Sequence, residues 1–353
     1  MRCAGLVIGG LLSVSSAALP SCVSHIGRVD FSQGSPRCDW SGCGITFHVA
    51  NDVASSATSS VTLSVSATST NFVSVLVNCE VLGKYEVSPD LGAVQFSFEQ
   101  TAGETYEVNV VKVTEASQGV VSFEDLYVDG GYLVSGVDRT CRNENDIKLL
   151  FIGDSITAAY GVEGTNPCSF SPDTENILDS YATLVANDIG AELHTIAWSG
   201  KGVVRNYGDE HTTSVNPMPV YYNRTLGEYD DANLAWNPRN YQPDVVLVML
   251  GANDYSTTPH PSDEDFTNGL VDLLGQIYRD YPNAKVGAMC SAEPDGNQCA
   301  NIQQAAELTS STYVKIDDSV YVSYGCDYHP SIDTQRNIAD IVTPVVQEML
   351  NSE

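Results

Sequence analysis

Basic residues are scarce in this chain. Its 353 residues include 16 Lys and Arg against 45 Asp and Glu, which gives a formal net charge of −29. Nucleic acids and anionic bilayers are themselves polyanions, so they repel such a chain before contact. Only 17% of the residues are charged, 42% are hydrophobic, and the acids are scattered rather than gathered in runs. We therefore expect a folded acidic protein whose partners include neither nucleic acid nor a membrane.

Long hydrophobic runs are also missing. After residue 18, no segment approaches the roughly 20 apolar residues that a membrane-spanning helix needs. Residues 1–18 contain one short apolar stretch, which follows Arg2 and ends in small residues. This pattern is typical of a secretory signal peptide, with a buried N-terminal strand or helix as the alternative. The sequence thus predicts a secreted, extracellular protein.

Cysteines at zinc-ligand spacing are absent. No Cys-x-x-Cys occurs, and no cysteine pair precedes two closely spaced histidines, so we expect no structural zinc site. In an oxidising compartment most cysteines would pair instead. Cys38 with Cys43 and Cys290 with Cys299 are plausible local loops. Of ten cysteines, removal of Cys3 leaves nine, and this odd number predicts at least one free or intermolecular thiol.

The first half of the chain alternates apolar and polar residues. It is rich in Ser, Thr and Val, and period-2 segments occur at 61–65, 94–98 and 106–110. Turn residues separate these segments, and no helical stripe interrupts them. The first half is therefore predicted to be an antiparallel β-sandwich domain over residues 22–142.

The second half has apolar runs followed by helical patterns. Nearly continuous apolar runs at 147–152 and 245–250 suit strands that are buried on both faces. Helices are predicted at 181–189, after the capping residues Ser262 and Asp265, and at 334–350 with an interruption at Pro344. Such alternation predicts an α/β domain over 146–353 with a parallel sheet, in which ligands bind beyond the carboxyl ends of the strands.

Two of these strand ends carry residues that suit acyl transfer. Gly153-Asp154-Ser155 follows the first run, and a serine at a strand-to-helix turn exposes its hydroxyl near a helix N-terminus. Gly251-Ala252-Asn253-Asp254 follows the second run, where the Asn253 amide could donate to an oxyanion. Alternatively, Ser155 caps its helix and Asn253 stabilises a turn.

Two further segments complete the candidate site. Gly200 lies in a loop after the strand predicted at 193–197, where glycine lets backbone N–H groups approach a ligand or only makes a tight turn. His329 follows a strand-like segment, lies beside an acid, and precedes the last helix. A lone histidine is more often structural than catalytic. Because His329 occurs together with the other three segments, a catalytic role is favoured.

These four segments resemble the ordered motifs of the GDSL, or SGNH, hydrolase superfamily. Within it, the chain most resembles carbohydrate esterase family 2, through residues 153–161 and 198–208 and the ending Cys-Asp-aromatic-His-Pro at 326–330. The resemblance implies a three-layer α/β/α hydrolase domain behind a jelly-roll β-sandwich. It also implies a serine carbohydrate O-acetyl esterase that removes acetyl groups from xylan- or glucomannan-type saccharides.

The resemblance assigns roles to individual residues. Ser155 would be the nucleophile and His329 the base, and the Ser155 and Gly200 N–H groups with the Asn253 side chain would form the oxyanion hole. The supporting acid is open, because Cys326 occupies the position three before the histidine and Asp327 lies only two before it. Either the loop bends so that Asp327 reaches the ring, or a backbone carbonyl orients the ring and the site is a Ser-His dyad.

Aromatic residues near these motifs could bind a sugar ring. Family 2 members carry an aromatic at the position of Tyr328, and Trp198, Tyr160 and Tyr207 could add to it or could instead belong to the core. The mechanism requires no cofactor and no metal, and we expect a monomer that binds an acetylated carbohydrate. The alternatives are a GDSL-type lipase or phospholipase, and a glycan-binding protein with vestigial esterase activity.

Overall fold

A computed structural model of the protein describes residues 19–51, 57–135, 146–291 and 297–352. The predicted signal peptide at 1–18 lies outside these residues, as does Cys141. The chain divides into two compact units, residues 1–142 and 143–353. In the described ranges, no helix has both the length and the apolar character needed to cross a bilayer.

The first unit contains two antiparallel sheets. Its described strands are β1 (Ser24–Ile26), β2 (Arg37–Cys38), β3 (Gly44–Ala50), β4 (Ala57–Ala67), β5 (Asn71–Val77), β6 (Glu80–Val87), β7 (Ala93–Gln100), β8 (Thr105–Lys112), β9 (Val121–Asp129) and β10 (Tyr132–Val134). One sheet has the order β1-β3-β8-β5-β6, with β10 also paired to β3, and the other has the order β2-β9-β4-β7.

Alternation of apolar and polar residues explains this arrangement. Along β7, the residues Val94, Phe96 and Phe98 are buried while their neighbours are exposed, as a strand with one core-facing side requires. Val61 and Leu63 of β4 enter the same core. Apolar residues from both sheets thus form one hydrophobic cluster, and the predicted β-sandwich is confirmed.

The second unit is a parallel sheet with helices. Its strands are β11 (Lys148–Gly153), β12 (Glu192–Ala197), β13 (Val245–Met249), β14 (Lys285–Cys290) and β15 (Thr312–Lys315), and its helices are α1 (Ser155–Ala158), α2 (Tyr181–Ile189), α3 (Met218–Tyr222), α4 (Ala252–Tyr255), α5 (Asp263–Asp280), α6 (Gln298–Thr309) and α7 (Ile332–Asn351). The strand order is β12-β11-β13-β14-β15, and every pairing is parallel.

Helices cover both faces of this sheet, because its central strands are apolar on both sides. Leu149 and Phe151 of β11 pack in one cluster with α2 and α7. The alternate residues Leu150 and Ile152 are also buried and face the other side, where α5 and α6 pack together and α6 contacts β14 and β15. The predicted α/β/α hydrolase fold class is therefore confirmed.

The last helix differs from its prediction. An interruption at Pro344 was expected, yet α7 continues through this residue to Asn351. A proline inside a helix costs about 3 kcal/mol, because it removes one backbone hydrogen bond and crowds the preceding turn. Val342, Val346 and Met349 are buried on both sides of Pro344, and this burial offsets the cost.

The strand order places the candidate residues at one edge of the sheet. The chain leaves β11 to form β12 on one side and then β13 on the other, so the strand order reverses around β11. The carboxyl ends of strands at such a reversal border a crevice where ligands bind in open α/β sheets. Ser155 follows β11 and Asn253 follows β13, and both therefore lie at this crevice.

Disulfide bonds join several segments. The predicted pairs Cys38–Cys43 and Cys290–Cys299 are confirmed, and a third bond joins Cys168 to Cys326. Every cysteine in the described residues is disulfide-bonded. Cys3 and Cys141 lie outside the described residues, so the expected free or intermolecular thiol of the mature chain stays a prediction.

We predict that the two disulfides of the second unit differ in their contribution to stability. Cys168–Cys326 closes a separation of 158 residues, and Cys290–Cys299 closes one of 9. Loop-closure entropy then assigns about 5 kcal/mol to the first bond and about 2.6 kcal/mol to the second. Urea unfolding of the paired Cys→Ala variants measures both free energies. Equal losses, or a larger loss without Cys290–Cys299, would contradict this expectation.

Candidate active site

Ser155 lies where the sequence predicted, at the turn from β11 into α1. It is the first residue of this short helix, and the Asp154 side chain caps the helix by accepting a hydrogen bond from the Ile156 N–H at 3.0 Å. Capping is thus the role of Asp154 rather than of Ser155. The Ser155 hydroxyl instead lies 2.8 Å from Nε2 of His329.

The hydrogen bonds of His329 define its tautomer. Its Nδ1 lies 3.2 Å from the backbone carbonyl oxygen of Asp327. A carbonyl oxygen only accepts, so Nδ1 carries the hydrogen and Nε2 presents its lone pair to the Ser155 hydroxyl. Tyr160 packs against the imidazole with a ring-centroid separation of 4.3 Å. The ring is therefore oriented as a base toward Ser155.

The Asp327 carboxylate does not support the ring as the acid of a triad. It accepts hydrogen bonds from the Tyr160 hydroxyl at 3.0 Å and from the Phe170 N–H at 2.9 Å. Asp327 has the left-handed backbone conformation, with φ of 48°. The loop is therefore bent, but the atom that meets His329 is the main-chain carbonyl. Of the two alternatives, this geometry favours the Ser-His dyad, in which a backbone carbonyl orients the ring.

Main-chain contacts and a disulfide hold the loop that carries His329. Cys326 is bonded to Cys168, and the Asp327 N–H donates to the Cys168 carbonyl at 2.9 Å. The Cys326 N–H donates to the carbonyl of Gly161 at 2.9 Å. The loop is thus attached to the segment that follows α1, and α1 is the helix that begins with Ser155.

The predicted oxyanion donors come from three segments. Gly200 lies in the loop after β12 with φ of 80°, a conformation that glycine adopts without strain. The buried Asn253 lies in α4, and its Nδ2 donates to Asp154 Oδ2 at 3.2 Å and to the carbonyl of Lys201 at 2.9 Å. The Asn253 amide therefore joins the loops that carry Ser155 and Gly200.

A cavity of about 730 Å³ opens at Ser155 and His329. It is lined by Ser155, Ile156, Tyr207, Ala252, Asn253, Ser256, Ser291, Asp318, Tyr321, Tyr324, Tyr328, His329 and Pro330. Asp318 carries the only carboxylate among these residues, although the chain as a whole is strongly acidic. The cavity therefore suits an uncharged ligand with groups that aromatic rings and hydroxyls can contact.

The aromatic residues fall into two groups. Tyr328 lines the cavity and is 72% exposed, and Tyr207 lines it as well. Trp198, in contrast, packs against Tyr221 and Lys201 and is not among the lining residues. The substrate contact of Trp198 stays a prediction.

Sequence reasoning missed part of the cavity wall. Tyr321 and Tyr324 lie within eight residues of His329, and this aromatic enrichment was the available signal. Tyr324 lies 6.2 Å from Tyr328 and 6.5 Å from Tyr321 between ring centroids. Ser291 follows β14 directly, but that strand was not recognised in the sequence.

The described residues offer no evident metal site. Within residues 19–51, 57–135, 146–291 and 297–352, no group of three or more His, Cys, Asp or Glu side chains is arranged to hold a metal ion. The polar side chains that line the cavity with Ser155 include the His329 ring and the Asn253 amide. Such groups transfer protons and donate hydrogen bonds.

The environment of His329 lowers its pKa. Burial lowers the pKa of the ring below its usual value of 6.5, while hydrogen bonds to the backbone of Asp327 and Cys326 and the negative charge of Asp327 act in the opposite sense. Burial wins, since it disfavours the charged imidazolium. The ring is therefore mainly neutral at pH 7, as a base requires.

We predict that His329 titrates with a midpoint below 6.5 and that Asp327→Asn lowers this midpoint further. The substitution removes a negative charge that favours the imidazolium, so the neutral ring persists to lower pH. NMR titration of the histidine ring signals measures both midpoints. A midpoint above 6.5, or a rise in the variant, would contradict the assigned environment.

Comparison with known proteins identifies both units. The GDSL-like lipase/acylhydrolase family matches residues 151–331, more than half of the chain, and the carbohydrate esterase 2 N-terminal family matches residues 25–135. A family two carbohydrate esterase from Clostridium thermocellum, solved in complex with cellohexaose, has 28% identity and a TM-score of 0.81, covering 93% of this chain and 99% of that one.

Curated relatives agree with this match. The cellulase/esterase CelE of Acetivibrio thermocellus is 30% identical over 93% of this chain, which spans only 39% of the length of CelE. An acetylxylan esterase / glucomannan deacetylase of Cellvibrio japonicus is 23% identical, with 70% of this chain and 68% of that protein covered. The chain belongs to the GDSL-like lipase/acylhydrolase family and carries a carbohydrate esterase 2 N-terminal domain ahead of its hydrolase domain.

Proposed function

We propose that this protein is a secreted serine carbohydrate O-acetyl esterase that removes acetyl groups from acetylated xylan- or glucomannan-type saccharides. The observation that carries the proposal is the hydrogen bond of 2.8 Å between Ser155 Oγ and His329 Nε2 at the wall of an open cavity. The relatives named above include carbohydrate esterases with acetylxylan and glucomannan activities, which supports the substrate class.

The first half of the reaction forms an acyl-enzyme. Ser155 Oγ attacks the ester carbonyl carbon while its proton moves to His329 Nε2. The imidazolium that results is stabilised by the hydrogen bond from Nδ1 to the Asp327 carbonyl. Collapse of the tetrahedral intermediate breaks the ester bond, and the sugar hydroxyl leaves with the proton from Nε2.

Hydrogen-bond donors from three segments of the chain would stabilise the oxyanion. The Ser155 and Gly200 N–H groups and the Asn253 amide serve as donors, and each such donor contributes about 2.7–4 kcal/mol in comparable acyl-transfer enzymes. Of the two present bonds of Asn253 Nδ2, the longer one to Asp154 is the one that an oxyanion would replace.

The second half of the reaction releases acetate. Water attacks the acyl carbonyl and gives its proton to His329 Nε2, and the same donors hold the second tetrahedral intermediate. Collapse returns the proton to Ser155 Oγ, so neither a metal nor an organic cofactor enters the balance. The tyrosines of the cavity wall would contact the sugar that carries the ester, with Tyr328 the most exposed of them.

We predict that acetate release from acetylated xylan or glucomannan falls by at least about 10⁴-fold in Ser155→Ala, because the nucleophile is lost. Ser117→Ala, an exposed substitution in the β-sandwich unit, serves as the control and should leave the rate unchanged. Long-chain esters and a phospholipid are assayed in parallel. Preference for these substrates would instead indicate a lipase, and inactivity on every ester would leave a glycan-binding protein.

We predict that Asp327→Ala retains activity to within about tenfold. The carbonyl that orients His329 belongs to the main chain, so it persists when the carboxylate is removed. His329→Ala, which removes the base itself, should lose far more. Measurement of kcat for both variants on one acetyl ester decides the matter, since a loss on the order of 10⁴-fold in Asp327→Ala would instead make it the acid of a triad.

A further inference from the structure

The oxyanion donors proposed above belong to separate segments of the chain, so some interaction must set the distance between them. Gly200 lies in the loop after β12, whereas Asn253 lies in α4 after β13. A displacement of about 1 Å in such a site costs on the order of 10²-fold in rate. The chain between the two segments is far too long to define the distance at that precision. Direct contacts between the segments must do so.

Beside the hydrogen bond from Asn253 to the Lys201 carbonyl, the first such contact is the side chain of Asp254, the neighbour of Asn253. Its Oδ2 accepts from the Val203 N–H at 2.8 Å, and its Oδ1 accepts from the N–H groups of Val204 at 2.9 Å and Arg205 at 2.8 Å. Three consecutive amides of the Gly200 loop therefore converge on one carboxylate. Gly202 permits this approach, because a Cβ there would lie 2.4 Å from Asp254 Oδ2.

Asp254 is fully buried, which makes these contacts consequential. Burial raises the pKa of Asp254 to about 6, against the lowering effect of the three amides. The group is therefore mainly ionised at neutral pH, and hydrogen bonds to an ionised acceptor are roughly twice as strong as neutral ones.

The second contact is the guanidinium of Arg205, which is also fully buried. It donates from Nη1 toward the carbonyls of Asn253 at 3.5 Å and Asp254 at 3.4 Å. Nε and Nη2 donate to carbonyls within the same loop, those of His211 at 3.0 Å and Asp209 at 2.6 Å. In the described residues, Arg205 forms no ion pair with a carboxylate side chain. Its guanidinium donates to main-chain oxygens of both segments, and Nη2 also donates to the Thr257 hydroxyl oxygen at 3.0 Å.

We propose that Asp254 and Arg205 are positioning residues, which hold the Gly200 loop and Asn253 at the separation that the oxyanion requires. Neither is among the described residues that line the cavity, and in the described residues no hydrogen bond joins either of them to Ser155 or His329. They act through the two donors. The inference rests on the proposed esterase function, because only that function gives the Gly200–Asn253 spacing a catalytic meaning.

A double-mutant cycle tests the proposal. Asp254→Asn replaces one acceptor oxygen by an amide that faces N–H groups, so kcat/KM for 4-nitrophenyl acetate should fall on the order of 10²-fold. In an Asn253→Ala background, one donor of the pair is already gone, and the same substitution should cost less than about tenfold. Equal fold-changes in the two backgrounds would overturn the proposal, because a merely structural residue lowers both rates alike.

Two further variants guard against a trivial loss of structure. Asp30→Asn removes a comparable buried acceptor in the β-sandwich unit, where Asp30 binds Ser32 and Arg37, and should leave kcat/KM unchanged. All variants are assayed well below their unfolding temperatures. If Asp254→Asn does not fold, the same cycle with Arg205→Lys decides, since lysine keeps the charge but lacks the fork that reaches both segments.

The outcomes separate this inference from the proposed function. If the unaltered protein hydrolyses no acetyl ester, the proposed function fails, and the positioning role, which rests on it, fails with it. Suppose instead that the protein is an active, Ser155-dependent esterase, and that each substitution costs the same factor with and without Asn253→Ala. The proposed function then stands and the positioning role is wrong. A cost that is smaller by about tenfold or more in the Asn253→Ala background supports both the proposed function and the positioning role.

Discussion

The hydrogen bond between Ser155 and His329 is the contact on which the rest of the site depends. It joins residues 174 positions apart, and neither partner has a use in acyl transfer without the other. Ser155 is held by the turn between β11 and α1, and His329 by a loop beyond β15. The Cys168–Cys326 bond and three main-chain hydrogen bonds attach that loop to the segment after α1.

Three aspartates adjoin the proposed catalytic residues, and the carboxylate of each accepts hydrogen bonds from the segments around it. Asp154 caps α1 and accepts from Asn253, Asp254 accepts from three amides of the Gly200 loop, and Asp327 accepts from Tyr160 and Phe170. A carboxylate suits this work, because it offers several strong acceptor sites to the backbone N–H groups that loops leave unpaired. Acidic residues inside a motif therefore need not be general acids.

The net charge of −29 is compatible with the substrate class proposed. Among the described residues that line the cavity, Asp318 alone carries a carboxylate, while the tyrosines and serines offer aromatic faces and hydroxyl groups. An acetylated sugar is neutral, so neither the protein field nor the cavity repels it. The acidic residues elsewhere are then best explained by solubility, because excess charge of one sign keeps proteins apart.

The sequence by itself determined the two fold classes, two local disulfides and the positions of Ser155, Asn253, Gly200 and His329 along the chain. These depend on local patterns, such as period-2 alternation, apolar runs and the residues that follow a strand. Tertiary structure decided what depends on distant segments: the Cys168–Cys326 pair, the continuation of α7 through Pro344, the wall formed by Tyr321 and Tyr324, and the orientation of His329 by a carbonyl. The physical reason is that a side chain's partner is chosen by the fold, and sequence spacing alone does not encode which oxygen of Asp327 faces the imidazole.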